Sequence, residues 1–397
     1  GGITHLIRLR IRNLLGVLAL TALPVAVSVG CEQSQEEVPE RRLVDAILNL
    51  DPEQFHHALE YAREETLQVP SLAFYNALFL WFRGYQEDNK ELKFNGISQL
   101  RQAVSELMNL TPDEESVDWF LAMGLAHGHF ARALLEGGKL LEGYRNGMLA
   151  RKHLTRYLDL APADASGRPD AGMLAGLYEV YTHDLRNRFH WLIGTIDYRG
   201  DRDLGIHLLE TALTGEGAFA NEALRALLGE VSWRTPDFCQ YTDVAEDRAL
   251  QLERNRDLAV LAMGLILRCG QPARAARLAS WYESRNPAPA IARQLKRAQL
   301  RINADLGDIE TLEKLRPDDT DPHYLVAKAN ALDVVGRRQE AMEIYGQLLN
   351  ESEIDSVFHT VARVRTRFPY APPKQETVPQ FAANNCGLDL LHGHGVR

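Results

Sequence analysis

Short segments with helical periodicity fill most of the sequence and constrain its fold more than any other feature. Between residues 41 and 367, apolar residues recur every three or four positions in stretches of about 12–22 residues, which is the period of an amphipathic helix. Pro, Gly and Asp interrupt these stretches. Sustained alternation of Val, Ile and Thr, the usual signal of a strand, is almost absent. The pattern predicts an all-α fold of many short helices with brief connections.

Capping residues followed by proline indicate where three of these helices begin. The pairs are Asp51-Pro52, Thr111-Pro112 and Asp321-Pro322. The Asp or Thr oxygen can accept a hydrogen bond from a free N–H of the first turn, and proline suits the first helical position because its missing N–H is not needed there.

Segment 321–349 resembles a tetratricopeptide repeat, which is a pair of antiparallel helices. Small Ala329 stands where the two helices would cross, Gly336 stands at the turn, Ala341 follows five residues later and Tyr345 four residues after that. Two helices pack closely only if the residues at their crossing are small, and glycine tolerates the backbone that ends a helix.

The same spacing recurs elsewhere in the chain. Gly270, Ala275 and Pro287 are separated by five and then twelve residues, and Ala150 and Pro162 are again twelve apart. The string LAMGL occurs twice on presumed first helices, at 121–125 and 261–265. Together these repeats predict an α-solenoid of degenerate tetratricopeptide-like helical hairpins over residues 42–369.

The middle of the chain resembles a family of bacterial tetratricopeptide proteins whose members share a GDRxxG block. Eukaryotic tetratricopeptide proteins related to an inclusion-clearance factor of the outer mitochondrial membrane carry a similar block. The matching residues are Gly176, Leu177, Tyr178, Tyr181, Gly200, Asp201, Arg202, Asp203, Gly205, Leu209, Glu222, Ala223 and Leu227. The resemblance implies a helical-repeat fold and says nearly nothing about chemistry.

Residues 1–30 have the features of a bacterial lipoprotein signal peptide. Three arginines and no acid precede an uncharged apolar run over 14–30, which is short for a membrane span. The run ends in Ser28-Val29-Gly30-Cys31, which resembles a lipobox, in which the cysteine is lipidated and becomes the first residue. We therefore expect lipidation of Cys31; the alternatives are an ordinary signal peptide and a short anchor helix.

The flanks of the helical region are predicted to be irregular. Residues 31–41 are polar and acidic and would form a flexible tether, while residues 370–397 are rich in Pro, Asn and Gly and are expected to be disordered. Glu32, rather than Asp, follows Cys31, which favours the outer membrane in enteric sorting. The expected location is the bacterial cell envelope, lipid-anchored and facing the periplasm.

Charge and cysteine content exclude several classes of protein. The net charge is −10, and residues 1–30 carry three of the positive charges and no acid, so the remainder is at −13. Such an acidic body argues against nucleic-acid binding. Beyond Cys31 only Cys239, Cys269 and Cys386 occur. An oxidising periplasm permits a Cys239–Cys269 disulfide, although two buried thiols fit the sequence equally well.

The block from residue 176 to 233 holds the candidate binding residues. Tyr178, Tyr181 and Trp191 belong to an aromatic cluster that either anchors a partner or plugs the core under a long connection. Arg202 either grips an anion or pairs with a nearby acid in a structural turn that Asp201 caps, and the turn is the simpler interpretation.

Motifs of catalysis and metal binding are missing from the sequence. The paired histidines at 56–57, 127–129 and 392–394 lack zinc-ligand spacing, and there is no HExxH, phosphate loop or nucleophile elbow. We therefore predict no catalytic residue, no metal and no cofactor.

The leading functional hypothesis is a scaffold that binds a protein or peptide of the cell envelope in a helical-repeat groove. The alternative is a small-molecule-binding component associated with a periplasmic transporter, or an enzyme with a pocket near Trp191 and Arg202. An open groove would favour the scaffold, whereas a closed site with converging Arg, Asp and His would favour the alternative.

Overall fold

The computed structural model describes residues 39–374 apart from gaps at 65–68, 110–115, 189–199, 216, 232–237, 286, 288, 316–319 and 352–353. Those residues are all-helical and include no strand, which confirms the predicted fold class. The helices are α1 (Pro39–Leu48), α2 (Pro52–Glu64), α3 (Val69–Gln86), α4 (Lys90–Asn109), α5 (Val117–Glu136), α6 (Leu140–Leu160), α7 (Arg168–Arg188), α8 (Arg202–Thr214), α9 (Ala220–Ala226), α10 (Thr242–Gln251), α11 (Arg256–Arg268), α12 (Pro272–Glu283), α13 (Pro289–Leu306), α14 (Ile309–Lys314), α15 (Pro322–Val334), α16 (Arg338–Asn350) and α17 (Ser356–Arg367).

Consecutive helices pack as pairs, and each pair packs against the next. The pairs α3–α4, α5–α6 and α7–α8 have the most extensive contacts, and α5 and α7 each contact both helices of the pair before them. None of the helices in the described part of the chain is long and apolar enough to cross a bilayer. The inner faces of these pairs form one hydrophobic core together with α9, α10 and α11.

Glycines of the GDRxxG block allow α7 and α8 to approach closely. A Cβ atom on Gly176 would lie 2.7 Å from the carbonyl oxygen of Gly205, and a Cβ on Gly205 would lie 2.8 Å from the carbonyl oxygen of Gly176. Any larger residue at either position would collide with the opposite backbone. Gly176 and Gly205 are therefore required for the close packing of α7 against α8.

The predicted repeat at 321–349 forms the helix pair α15–α16. Ala329, Ala341 and Tyr345 are fully buried between the two helices. Gly336 ends the first helix with a φ of +80°, where the left-handed backbone favours glycine. Asp321 caps α15 by accepting the backbone N–H of His323 at 2.9 Å. These features are confirmed as the sequence predicted them.

The ends of the helical region differ from the expected boundaries. Helix α1 begins at Pro39, so the last three residues of the predicted tether are helical. Tyr370 packs at the other end: its backbone N–H donates to Asp333 at 2.8 Å, its hydroxyl donates to Asp305, and the guanidinium of Arg365 lies over its ring. The expectation of disorder from residue 370 was wrong at its start, because this side chain is anchored. Residues 375–397 lie outside the described part.

Helix α1, the first described helix, packs against the middle of the chain. Asn221 Nδ2 donates to Asp45 at 2.9 Å, the backbone N–H of Arg254 donates to Asn49 at 3.1 Å, and Asn255 Nδ2 donates to the carbonyl of Leu48 at 2.8 Å. These hydrogen bonds hold α1 against α9 and against the turn between α10 and α11.

A disulfide joins Cys239 to Cys269, with their Cα atoms 5.7 Å apart. Cys239 lies in the 3₁₀ turn Phe238–Tyr241 before α10, and Cys269 lies at the end of α11. Both residues are buried. Of the two states that the sequence left open, the structure contains the bridged one.

Candidate functional site

The predicted binding tyrosines face different neighbours. Tyr178 of α7 packs on α6, where the guanidinium of Arg151 lies 6.0 Å from its ring centre and its ring covers Gly147. Burial raises the pKa of Tyr178 to about 12. Tyr181 instead interacts electrostatically with Arg132 and Arg225 in the interior. Tyr178 and Tyr181 therefore have different neighbours and do not form one aromatic cluster with each other.

Arg202 and its block form a structural turn. Asp201 caps α8 by accepting the backbone N–H of Leu204 at 3.0 Å, as the sequence predicted. Arg202 pairs with Asp184 at 3.6 Å and donates to the carbonyl oxygen of Val231 at 3.2 Å. The guanidinium thus joins α7, α8 and the residues after α9. Trp191 and Cys31 lie outside the described residues.

Four charged or titratable residues meet inside the helical stack and form what we term the interior cluster: His129 and Arg132 of α5, and Glu222 and Arg225 of α9. Glu222 is 1 % exposed and Arg132 and Arg225 are 5 % and 6 % exposed. Glu222 accepts hydrogen bonds from Arg132 Nη1 and, at 3.2 Å, from Arg225 Nε. One carboxylate therefore serves two buried guanidiniums.

Several polar atoms of this interior region have no hydrogen-bond partner among the described residues. Nη2 of Arg132, Nη2 of Arg225, both ring nitrogens of His129 and both side-chain polar atoms of Gln86 are buried and unpaired. The face of the Arg132 guanidinium lies 5.2 Å from the rings of Trp81 and Phe82, which gives cation–π stabilisation but no hydrogen bond. Unpaired buried polar atoms are costly, so this region carries a desolvation penalty.

Burial and neighbouring charges set the protonation of the cluster. Burial, and then the charge of Arg132, lower the pKa of His129 to about 3, so the ring is neutral at pH 7. Burial alone would raise the pKa of Glu222, but the charges of Arg132 and Arg225 outweigh it and lower that pKa to about 2. The cluster therefore holds one carboxylate, two guanidiniums and one neutral imidazole.

Replacing His129 with phenylalanine should reduce the loss of unfolding free energy between pH 6.5 and pH 3. Because the pKa of His129 is about 3 in the folded state and 6.5 ordinarily, its contribution is fully present above pH 6.5 and is lost as pH falls toward 3. Wild-type protein should lose up to about 1.4 kcal/mol per pH unit from this group, and His129→Phe should not. Urea unfolding at a series of pH values measures the slope.

His207→Phe on α8 provides the control for this experiment, because the exposed side chain of His207 is solvated in the folded state. It should leave the slope unchanged. If His129→Phe has the same dependence of unfolding free energy on pH as wild type, His129 is not a buried neutral imidazole.

An open groove lies on the surface of the α5–α6 pair. It has a volume of about 650 Å³ and is lined by Trp119, Phe120, Lys152, His153, Thr155, Arg156 and Asp159. We term it the α5–α6 groove. The imidazole of His153 stands edge-on to Trp119, with ring centres 5.1 Å apart, and stacks at 6.0 Å on His127. The rings thus form a continuous aromatic wall.

Donors in and around this groove are unused. Trp119 Nε1 and His153 Nδ1 are buried and have no hydrogen-bond partner among the described residues. Lys152 and Arg156 form no ion pair with any described residue. Burial, and then the charges of His127 and Lys152, lower the pKa of His153. The groove therefore combines aromatic surface with two free cations.

Sequence reasoning missed both arrangements. Arg132 and Glu222 are ninety positions apart, and no local pattern connects them. The groove had one local signal, since α6 carries Arg145, Arg151, Lys152 and Arg156 but only the acids Glu142 and Asp159, which makes it basic in an acidic chain. That signal does not reveal the aromatic residues that α5 adds.

The described residues contain no group of three or more His, Cys, Asp or Glu side chains placed to hold a metal ion. Comparison with family models, curated proteins and solved structures finds no match to this chain. The resemblance to tetratricopeptide lipoproteins therefore stays a prediction from the residues that carry it.

Proposed function

We propose that this chain is a lipid-anchored, periplasm-facing helical-repeat scaffold that binds an acidic segment of an envelope protein in the α5–α6 groove. The observation that carries this proposal is the groove itself, where two unpaired cations border an aromatic wall. Aromatic residues with unused polar groups and arginine are enriched at protein interfaces. The proposed role is binding, without catalysis and without a cofactor.

Charge favours an acidic partner segment. Helix α6 is locally basic although the whole chain is at −10, so an acidic partner would be repelled by most of the surface and attracted here, whereas a basic partner would be repelled here. Carboxylates can pair with Lys152 and Arg156, and an aromatic or aliphatic side chain between them can cover Trp119. Helix pairs that pack one upon the next support the proposed α-solenoid, in which such grooves are common sites.

Two features support the proposed location. The basic head, the apolar run and Cys31 are the parts of a lipoprotein signal. The Cys239–Cys269 disulfide is typical of proteins that fold in an oxidising compartment such as the periplasm. Acyl chains on Cys31 would hold the groove at a membrane surface.

Reversing the two free charges should weaken partner binding. A fluorescent peptide of alternating Asp and Phe is expected to bind wild-type protein, while the Lys152→Glu/Arg156→Glu variant should bind it at least about tenfold more weakly, since like charges would then face each other. Fluorescence anisotropy measures both affinities.

A matched control is Lys139→Glu/Arg145→Glu, which reverses two exposed charges of the same region outside the groove and should bind normally. A photo-crosslinking residue at Thr155 should capture an acidic envelope protein, and the groove variant should lose that adduct. Equal binding of a Lys-Phe peptide, or equal binding by both double variants, would overturn the proposal.

A second candidate function is binding of a small carboxylate at the interior cluster. The unpaired Nη2 atoms of Arg132 and Arg225 favour it, since guanidinium groups bind carboxylates bidentately. The site expected near Arg202 has less support, because that guanidinium is already engaged by Asp184 and Val231. Succinate should raise the melting temperature of wild-type protein but not of Arg225→Met if this function is correct.

A further inference from the structure

Another cavity, of about 450 Å³, lies where helices α1 and α2 meet the middle of the chain. Helices α1 and α2 form one side, and Asn221 of α9 and Gln251 at the end of α10 form the other. Eight of the eleven described residues that line it carry polar side chains. We term it the α1–α2 cavity. Its volume is within the range of about 300–1,000 Å³ that small ligands occupy.

Asn221 presents a buried acceptor beside this cavity. Its Nδ2 donates to Asp45 at 2.9 Å, and since a carboxylate accepts hydrogen bonds, this contact fixes the orientation of the amide. Oδ1 is thereby left buried without a donor, and Asn221 is only 5 % exposed. A hydroxyl or N–H group of a ligand would satisfy it.

The two glutamines of the cavity present donors. Gln54 accepts from Asn49 at 3.4 Å and Gln251 accepts from Arg248 at 2.8 Å, each through Oε1. These contacts orient both amides and leave each Nε2 group without a partner in the described chain. The cavity thus has donors on both of its sides.

Tyr61 and His57 of α2 add groups that both donate and accept. Neither the Tyr61 hydroxyl nor the His57 ring has a hydrogen-bond partner among the described residues. The guanidinium of Arg42 lies over the Tyr61 ring at 4.7 Å, which holds the phenol in place. Five side chains therefore offer free hydrogen-bonding groups around one space.

Formal charges in the cavity balance. Arg42 and Asp45 both stand on α1 and both line the cavity, so neither an anion nor a cation is selected by net charge. This differs from the α5–α6 groove, where free cations prevail. A ligand for the α1–α2 cavity is therefore uncharged and rich in groups that donate and accept.

From this arrangement we infer that the α1–α2 cavity binds an uncharged saccharide of one or two rings. A sugar hydroxyl both donates and accepts, so it can satisfy the Oδ1 acceptor of Asn221 and the Nε2 donors of the glutamines at once. A peptide fits less well, because the apolar lining residues are only Ala46, Ala58 and Leu252, which provide no pocket for a large side chain.

The cavity is held in shape before any ligand arrives. The hydrogen bonds from Asn255 to Leu48 and from Arg254 to Asn49 join residues more than 200 positions apart. They tie the α1–α2 wall to the turn that follows Gln251. A preformed wall reduces the ordering that binding would otherwise require.

Saturation-transfer NMR on the full-length protein tests the inference with cellobiose, chitobiose and maltose as probes. At least one is expected to bind at millimolar or lower concentration. Tyr61→Phe removes only the hydroxyl, and Gln251→Leu removes only the amide. Each should weaken binding about threefold to tenfold, the effect of one lost neutral hydrogen bond, and the double variant should weaken it further.

Gln347→Leu on α16 is the matched control, since this exposed glutamine lies outside the cavity, and it should bind the probes normally. Melting temperatures equal to wild type would show that the variants are folded. The inference fails if no probe binds, if the double variant binds as wild type does, or if trialanine or citrate competes for the site better than the sugars. These results are independent of peptide binding in the α5–α6 groove.

Discussion

Glu222→Ala is expected to lower the free energy of unfolding by about 3–5 kcal/mol, since breaking a buried ion pair leaves an uncompensated charge. Glu222 is shared by Arg132 and Arg225, and all three side chains are more than nine-tenths buried. Removing the carboxylate would leave two buried guanidiniums with Glu136, 3.3 Å from Arg132 Nε, as the remaining counter-charge. Urea unfolding followed by circular dichroism at pH 7 gives the free energy.

Glu222→Gln should be destabilising as well, because an amide keeps the shape and the acceptor but not the charge. The matched control is Glu340→Gln, whose carboxylate pairs with Arg337 while both side chains are half exposed. That change should leave the free energy of unfolding almost unchanged, because solvent screens the pair. A loss below about 1 kcal/mol in Glu222→Ala would contradict the described charge network.

Replacing all three charged residues tests why the cluster exists. Arg132→Met/Glu222→Leu/Arg225→Met should be close to neutral in stability, or stabilising, because apolar side chains of similar volume carry no desolvation penalty. If wild-type protein binds succinate and that variant is stable but does not, the cluster serves a ligand. If it is stable but its helices pack without a unique arrangement, the cluster specifies the register of α5 against α9.

Local patterns explain which parts of the fold could be predicted. In segment 321–349 the helical period, a turn glycine and two crossing alanines all concern neighbours within about 20 residues, and the structure contains the expected pair. The π-helical turn at Leu227–Val231 was not expected, because the sequence there continues the period of the preceding helix. Only packing decides how such a stretch ends.

The sites depend on contacts that no local pattern contains. The sequence alone predicts Arg132 at the surface, since arginine is rarely buried unless paired. Its partner Glu222 lies ninety positions later. The groove needs Trp119 of α5 beside His153 of α6, and the cavity needs α1 beside Asn221. Sequence periodicity shows which face of a helix is apolar, but not which helices share that face.

Removing the Cys239–Cys269 bridge is the second change with a large expected effect. The double variant Cys239→Ala/Cys269→Ala should lose about 3–4 kcal/mol, because a bridge between residues 30 positions apart restricts the unfolded chain by about that amount. Working in a Cys31→Ser/Cys386→Ser background removes the other two cysteines of the sequence. A reducing agent should lower the melting temperature of the background protein and leave that of the double variant unchanged.

The same bridge links stability to the proposed location. A chain that carries residues 1–30 and is exported would meet an oxidising compartment, whereas a chain starting after Cys31 would remain where thiols are kept reduced. Alkylation followed by mass spectrometry should find Cys239 and Cys269 protected in the first protein and labelled in the second. The second protein should unfold at the lower temperature of the double variant, and equal protection in both would separate the disulfide from export.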